Sequence, residues 1–513
     1  MIAGFAIAKR TPGSSARRII HLTKGRDGVF RASYDAAQTT DWNKRHWSHV
    51  DELSANASMS VAVRNTVRKR ARYEVASNPF LRGIVGTLAN WTVGRGPLLD
   101  LKGTGDNDAV TRIEDRFHKW ARWVRLARKL WTMRVAKAVD GEVFALLTAN
   151  PKVPGDVQLD IKLVECDRVR TPNFWAWKAG PYTTSGIICD EHGNPVTYHV
   201  LKHHPGNDYG GSASDVEEIP AEQMIHLFRM DRPGQTRGIS EILPSLDAAA
   251  ALRRFSDATL AAAEIAADHA VLLETEAPAD EDAAEEYAEF SEAEISRGLM
   301  TMLPYGTKAV QIKPEHPSTV YHEYFRDKIN EIARPLDMPL NIALGNSEDF
   351  NYASGRLDHQ TFQKAIKVEQ EDVFELGALN LRVLPNWLRE DKLGHREDYR
   401  AAGSLSATWY WTEQEHVDPL KEARAQDIEL KNGSATLARA YARKGANWER
   451  EDRQLQIERV RKLENDVDLA KRRKELLEKN GLTDADLASV RESGSKPAAS
   501  DSGRDDPDED EDK

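Results

Sequence analysis

The chain has 513 residues, and 71 Lys+Arg against 82 Asp+Glu give a net charge of −11 with 40% apolar residues and a mean hydropathy of −0.60. That length suits one large or several ordinary domains with a substantial core, and no eighteen-residue stretch is both apolar and free of charge, which excludes a membrane-spanning helix. The apolar run 1–8 precedes Lys9 and Arg10, the reverse of a secretory signal, and two cysteines, Cys166 and Cys189, allow neither a disulfide framework nor a zinc ribbon and fit a reducing cytoplasm.

Charge is unevenly spread. Residues 1–135 hold 25 basic and 11 acidic side chains, a balance of 25 − 11 = +14, so the remainder carries −25. Residues 1–55 are small, polar and basic without sustained periodicity and read as a flexible arm. A helical pattern runs over 56–92, with Arg64, Arg68 and Arg72 at i, i+4 and i+8, until Val93, Gly94, Arg95, Gly96 and Pro97 break it; this Gly-x-Gly lacks the third glycine of a dinucleotide loop. A second helix is expected over 111–138. It interleaves Arg112, Arg116, Lys119, Arg122, Arg125 and Arg128 with Phe117, Trp120, Trp123 and Trp131, a pattern that suits aromatics in a core with arginines on the wet face better than a nucleic-acid surface.

Short strands are expected at 142–149, 158–165, 186–189 and 195–201, with a hairpin turn at 190–194. Cys189, His192, His199, His203 and His204 fall in this region, but turn and strand geometry spread them apart, so they do not read as a metal site. Residues 242–273 form an Ala-rich helix about 45 Å long. Its charges Arg253, Arg254, Asp257, Glu264 and Asp268 fall within about a third of the circumference. Small residues elsewhere on it suit close packing of copies side by side. Residues 274–294 then carry ten acids and no Lys or Arg. A strand at 309–313 and a helix at 321–334 stopped by Pro335 follow, then a polar loop at 344–356, a long helix at 357–381, and a largely helical, charge-rich region from 419 to about 479. The stretch 501–513, eight acids against Arg504 and Lys513, reads as a disordered acidic tail.

Taken in order, these residues resemble the lambda family of tailed-phage portal proteins from about Asn56 to Glu458. The landmarks are Asn78-Pro79 and the Val93-Gly94-Arg95-Gly96 turn; Trp120, Trp123 and Asp140-Gly141-Glu142; Gly193 to Tyr198; Ile219, Pro220, Ala221, Ile225 and His226; Arg232, Pro233, Gly234, Gln235, Arg237 and Gly238; Leu303, Pro304, Gly306, Pro314 and Pro317; Asn351, Tyr352, Ala353, Ser354 and Arg356; and Asp418, Pro419, Lys421, Glu422, Gly433 and Thr436. Ala353 stands where that family usually has serine.

The resemblance implies a predominantly helical α+β portal fold of wing, stem, clip and crown, assembled as a virion ring, usually of twelve subunits, through which double-stranded DNA passes without sequence specificity. It implies an arm at 1–55, a wing at 56–240, stem helices at 241–273 and 317–335, and a clip at 274–316. A tunnel-loop region follows at 336–356, a tunnel helix and return to the wing at 357–430, a helical crown at 431–480 and the tail at 481–513. Asn346, Ser347, Glu348, Asp349, Phe350 and Asn351 would face the DNA channel. Arg253, Arg254, Asp257, Glu264 and Asp268 would line the channel or a neighbouring stem, and Glu281, Asp282, Glu285, Glu286 and Glu289 would dock the motor. Implied partners are further copies of the chain, the terminase large subunit, the major capsid protein or scaffold, and a head-completion or tail-connector protein. No Walker A run and no HExxH occur, so no cofactor or catalytic centre is expected. The competing classes are a metal-dependent nuclease built on the histidines and a DNA-binding scaffold built on the basic amino-terminal third.

Overall fold

A computed structural model describes residues 22–24, 30–32, 41, 44–48, 51–171, 183–207, 215–267, 271–275, 307–311, 318–348, 350–411, 419–444, 446 and 448–481. Within the amino-terminal arm, Leu22–Lys24 (β1) and Phe30–Ala32 (β2) pair antiparallel, so part of a segment without helical or strand periodicity is a hairpin. Ala55–Ser58 (α1), Val61–Ser77 (α2) and Pro79–Val93 (α3) follow. Asn78 ends α2 and starts α3: its Oδ1 accepts from the N–H groups of Phe80 and Leu81, and Pro79 occupies the first helical position, where its missing N–H costs nothing.

Leu98–Gly103 (β3) leads to Asn107–Trp123 (α4) and Leu126–Asp140 (α5). The single helix expected over 111–138 is therefore two, broken where Arg125 takes a left-handed φ of 54°. The aromatics mostly face inward: Phe117 and Trp120 are buried with Trp387, whereas Trp123 is 49% exposed. Glu142–Ala149 (β4) pairs with Leu159–Val164 (β5). Thr183–Thr184 (β6), Ile187–Cys189 (β7), Pro195–Leu201 (β8) and Val216–Pro220 (β9) form a four-stranded antiparallel meander, whose β7–β8 turn closes through the Asp190 N–H to the Asn194 carbonyl. Met224–Phe228 (β10) then pairs with the other edge of β4.

The Ala-rich helix is shorter than its periodicity suggests. A 3-10 turn at Leu243–Ser245 precedes Leu246–Ala267 (α6), and Val271–Thr275 (β11) is a strand paired with Thr307–Gln311 (β12). The apolar run continues from Ala to Val-Leu-Leu, and partner pairing with β12, not local pattern, turns it into a strand. The strand read at 309–313 is β12, two residues earlier. Ser318–Ala333 (α7), Leu340–Leu344 (α8) and Tyr352–Val368 (α9) follow. The loop thus closes by Asn351, not Arg356. From α9 the chain continues as a π-helix, Glu369–Val383, into Leu384–Gly394 (α10) and Arg396–Ala402 (α11). Leu405–Tyr410 (β13) pairs with β3, and Pro419–Lys431 (α12), Leu437–Arg443 (α13) and the exposed Trp448–Asn480 (α14) complete a predominantly helical α+β fold.

Three cores position the rest. One packs α4, α5, β3, β4, β5 and β13 around Phe117, Trp120, Phe374 and Trp387. Another joins α2, α3 and α5 to the roots of α6 and α7 through Ile84, Leu88, Leu252, Ile329 and Phe362. The third fills the space under the meander with Phe144, Tyr198 and Ile219. Among the described residues no helix is long and apolar enough to cross a membrane.

Candidate functional site

Two sequence landmarks, Asp140-Gly141-Glu142 and Arg232 to Gly238, lie far apart in the chain and meet in space. Gly141 caps α5 with φ 89°, and a Cβ there would sit 2.1 Å from the Ile239 carbonyl carbon. A Cβ on Gly238 would sit 2.1 Å from the Gly141 oxygen, so both positions need glycine for backbone to touch backbone. Gln235 folds the turn between them: its Oε1 accepts from the N–H groups of Asp231 (2.9 Å) and Arg232 (3.1 Å), and its Nε2 donates to the Arg237 carbonyl (2.8 Å).

This close approach delivers Arg237 to Glu142, the first residue of β4. Both are buried, with Arg237 Nε 2.8 Å and Nη2 2.6 Å from the carboxylate; Arg68 on α2 and His226 on β10 (3.2 Å) also donate to it, as does the Gly238 N–H (3.1 Å). Burial alone pushes the Glu142 carboxyl up, but Arg237, His226 and Arg68 outweigh it and hold it well below the usual range. Burial likewise pushes His226 down, so its imidazole is neutral and stacks on Phe144 at 4.2 Å. The remaining Arg237 donors go to the Val169 (3.0 Å) and Ser185 carbonyls, which ties the meander to the root of α6.

A second buried knot holds the other side of that root. Lys137 and Arg134 on α5 clasp Glu241 (2.6 and 2.9 Å), and Lys137 also reaches Glu369 (2.8 Å) at the first turn of the π-helix. Asn78 adds a 3.4 Å contact from its Nδ2 to the Ala249 carbonyl, inside α6. With its base fixed on α2, α3 and α5, α6 packs along α7 through aromatic contacts: Phe255 lies 5.5 Å from Tyr321 and 4.4 Å from Tyr324.

The charged stripe divides in this setting. Arg253 turns back to its own subunit, 3.6 Å from Glu74 and over the Tyr73 ring at 5.3 Å. Arg254, Asp257 and Glu264 are exposed, and Asp268 lies outside the described residues. Ala258, Ala261 and Ala262 are exposed on the same helix, with Leu260 at 60%.

Beside this helix pair opens a 610 Å³ groove whose walls are Phe80, Leu252, Tyr321 and Phe325, with Asn346 and Glu348 of the loop at its rim. The loop is built by its own hydrogen bonds. Gly345 ends α8 with φ 65°, the Asn346 Oδ1 accepts the Glu348 N–H (2.9 Å), and the Phe350 N–H donates to the Ser347 carbonyl (3.2 Å). Asn351 caps α9, its Oδ1 accepting the Ser354 N–H at 2.8 Å, so that oxygen is committed to the helix. Asn346, Ser347 and Glu348 are exposed and Phe350 is half-buried, whereas Asp349 and the Tyr352 side chain lie outside the described residues.

The acidic cluster Glu281, Asp282, Glu285, Glu286 and Glu289 lies outside the described residues, between β11 and β12. Of the histidines, His204 comes beside Glu165 (3.0 Å) and Asp167 (3.8 Å), while Cys189, His192, His199 and His203 do not join them. The Gly206 N–H donates to His204 Nδ1 and Arg72 takes Asp167 at 2.6 Å, while the buried His204 Nε2 lies near Glu165 without a hydrogen bond. Of that group, His204 Nδ1 and Asp167 are thus engaged within the fold. The basic face of α4 is partly paired as well: Arg116 and Arg112 reach Asp391 and Asp398 on α10 and α11. The charge knots were the part that sequence reading missed, although the Arg64, Arg68, Arg72 spacing carried a signal, because Arg64 and Arg68 are each 3% exposed.

Comparison with known proteins places these features in context. Residues 38–370 match the family model for phage portal proteins of the lambda family. A protein of Halomonas phage phiHAP-1 (a Gulf of Mexico isolate from 2001), described as a "Probable portal protein", is 25% identical over 326 residues, 59% of this chain and 62% of that one; the chain thus spans under two thirds of this relative's length. Among solved structures, the neck of an empty gene transfer agent particle (C6 symmetry) is 14% identical with a TM-score of 0.40, covering 75% of this chain and 91% of that one. A portal protein of the HK97 family from Corynebacterium diphtheriae is 12% identical with a TM-score of 0.31, covering 69% and 98%.

Proposed function

Because the chain belongs to the lambda family of phage portal proteins, we propose that it is one subunit of a ring, usually of twelve, at one capsid vertex, through which double-stranded DNA is packaged and later leaves. One observation carries the reading: α6 projects from a base locked by two buried ionic knots, yet exposes alanines together with Arg254, Asp257 and Glu264 and leaves a 610 Å³ groove open at its side. Small residues let an identical helix approach closely, and a closed ring gives every subunit the same neighbour. In this reading α6 and α7 are the stem, and residues 56–240 with about 380–430 form the wing. The segment between β11 and β12 is the clip, and α13 with α14 forms the crown.

The ring is a conduit, not an enzyme. Its motor, the terminase large subunit, docks on the acidic clip residues Glu281, Asp282, Glu285, Glu286 and Glu289, where repetition around the ring builds a strong negative field. Major capsid protein or scaffold holds the rim during assembly in the host cytoplasm, and a head-completion or tail-connector protein follows. The loop of Asn346, Ser347, Glu348, Asp349 and Phe350 touches passing DNA without reading it, since it offers short polar groups, two acids and one ring instead of cations. Deleting residues 346–349 while keeping the Asn351 cap tests this. Rings should form normally and full-length packaged DNA should be lost; normal packaging refutes a role for the loop.

A further inference from the structure

The corner between α4 and α5 keeps a set of cations that pair with no carboxylate among the described residues, although Arg122 Nε donates to the His118 carbonyl at 3.4 Å. Arg112, Arg116, Lys129, Arg134 and Lys137 on the same two helices all find carboxylates. Lys119, Arg122, Arg125 and Arg128 are exposed, and among the described residues none has a carboxylate within 4 Å; Arg128 lies over the Trp131 ring at 4.4 Å. Between them stands Trp123, 49% exposed, against Gly155 of the β4–β5 loop. The acids that approach this corner are occupied elsewhere: Asp156 faces His395 at 3.0 Å, Asp115 takes Arg450, and Glu390 accepts the Gln158 N–H.

A polyanion suits this surface, and the chain carries one, tethered through helix α14, whose first turns are anchored beside α4. Helix α14 starts against α4, through Arg450 to Asp115 and Arg453 to Asp108 (3.6 Å), and Asp115 is one helical turn from Lys119. From Asn480 the nineteen residues 482–500 span up to about 63 Å when extended. That exceeds the roughly 50 Å length of α14, so the eight acids between Asp501 and Lys513 can return to the corner. We propose that this acidic carboxy-terminal segment docks on the Lys119, Arg122, Arg125 and Arg128 corner, of its own subunit or of a neighbour, and screens it from nucleic acid. Tethering gives the segment a high effective concentration, so individually weak ion pairs suffice. The surface is then closed to non-specific DNA contact unless a stronger polyanion displaces the tail.

The test uses two probes, a fluorescent peptide of residues 501–513 and a labelled 30-base-pair duplex, with the full chain, a chain stopped after Ser500, and both carrying Lys119→Gln, Arg122→Gln and Arg128→Gln. The peptide should bind the stopped chain about tenfold more tightly than the full chain, and the duplex should gain by a similar factor on truncation, each gain weakening with salt. The triple substitution should remove both gains, and Arg122→Lys with Arg128→Lys should keep them. Equal peptide binding to the full and stopped chains overturns the proposal. So does a duplex gain that survives the triple substitution, which would mean that the tail repels DNA from the whole surface and occupies no particular place.

Discussion

The Glu142 knot makes a quantitative demand on the fold. Glu142→Gln leaves Arg68 and Arg237, 3% and 1% exposed, without their carboxylate, and turns an amide N–H₂ toward donors. Removing one partner of a buried charge set costs about 3–5 kcal/mol, because the remaining charge stays desolvated. Arg237→Met is less severe for the charges, since Arg68 and His226 still face Glu142, although the Val169 and Ser185 carbonyls lose a donor at about 1–3 kcal/mol. Glu142→Gln should therefore be the costlier single change. In the double variant the second change removes a cation that has already lost its anion, so the summed loss should fall short of additivity by about 2 kcal/mol. Urea unfolding followed by tryptophan fluorescence and circular dichroism measures all four corners of the cycle. Additive losses, or Arg237→Met exceeding Glu142→Gln, would refute the view that the two landmarks are held together by this charge pair.

Glu114, packed under β3, has its carboxyl pushed up to about 7 by burial, with Asp100 adding to the effect. The folded state then holds a proton that the unfolded state has released, so this group's contribution falls as pH rises from about 4.5 through 7, by at most about 3 kcal/mol; Glu114→Gln should flatten stability across that window, and an unchanged profile would exclude it. Glu142 and Glu241 act oppositely: their carboxyls are depressed, so the stability they supply is present above the ordinary carboxylate range and lost as pH falls below it, which acid titration of unfolding would show. Gly238→Ala drives a methyl into the Gly141 oxygen and should leave little folded protein, whereas Gly193→Ala, with open space around it despite φ 85°, should cost only about 1 kcal/mol in thermal unfolding. Ala261→Trp on the exposed face of α6 should leave the circular dichroism spectrum intact and abolish large assemblies on size exclusion.

Where a segment's structure follows from its own residues, the sequence is readable. Strands β4 and β8 fall at the expected 142–149 and 195–201, and the Asp190 to Asn194 turn is the hairpin that its residues suggest. Where structure comes from a distant partner, the pattern misleads. β3 and β13 pair across some 300 positions, β11 continues an Ala-rich helical run, and the α4–α5 break rests on Arg125 in a conformation that glycine would have announced. The π-helix after Val368 has a period that a helical window does not separate from an α-helix. A loop after α8 is legible, but the sequence pattern ends it at Arg356, because the capping duty of Asn351, which starts α9 five residues earlier, is not. The glycines and Arg237 of the second landmark were singled out, yet their common purpose, holding Glu142 at the root of α6, appears only when both segments are in place.

Electron microscopy of the purified full-length chain in negative stain tests the central claim most directly. Subunits of a portal assemble into closed rings with a central hole wide enough for duplex DNA, about 20 Å, in top views, and side views show a stem narrower than the wing. A population of monomers or dimers across the concentrations at which the chain is folded, with no ring, would contradict it.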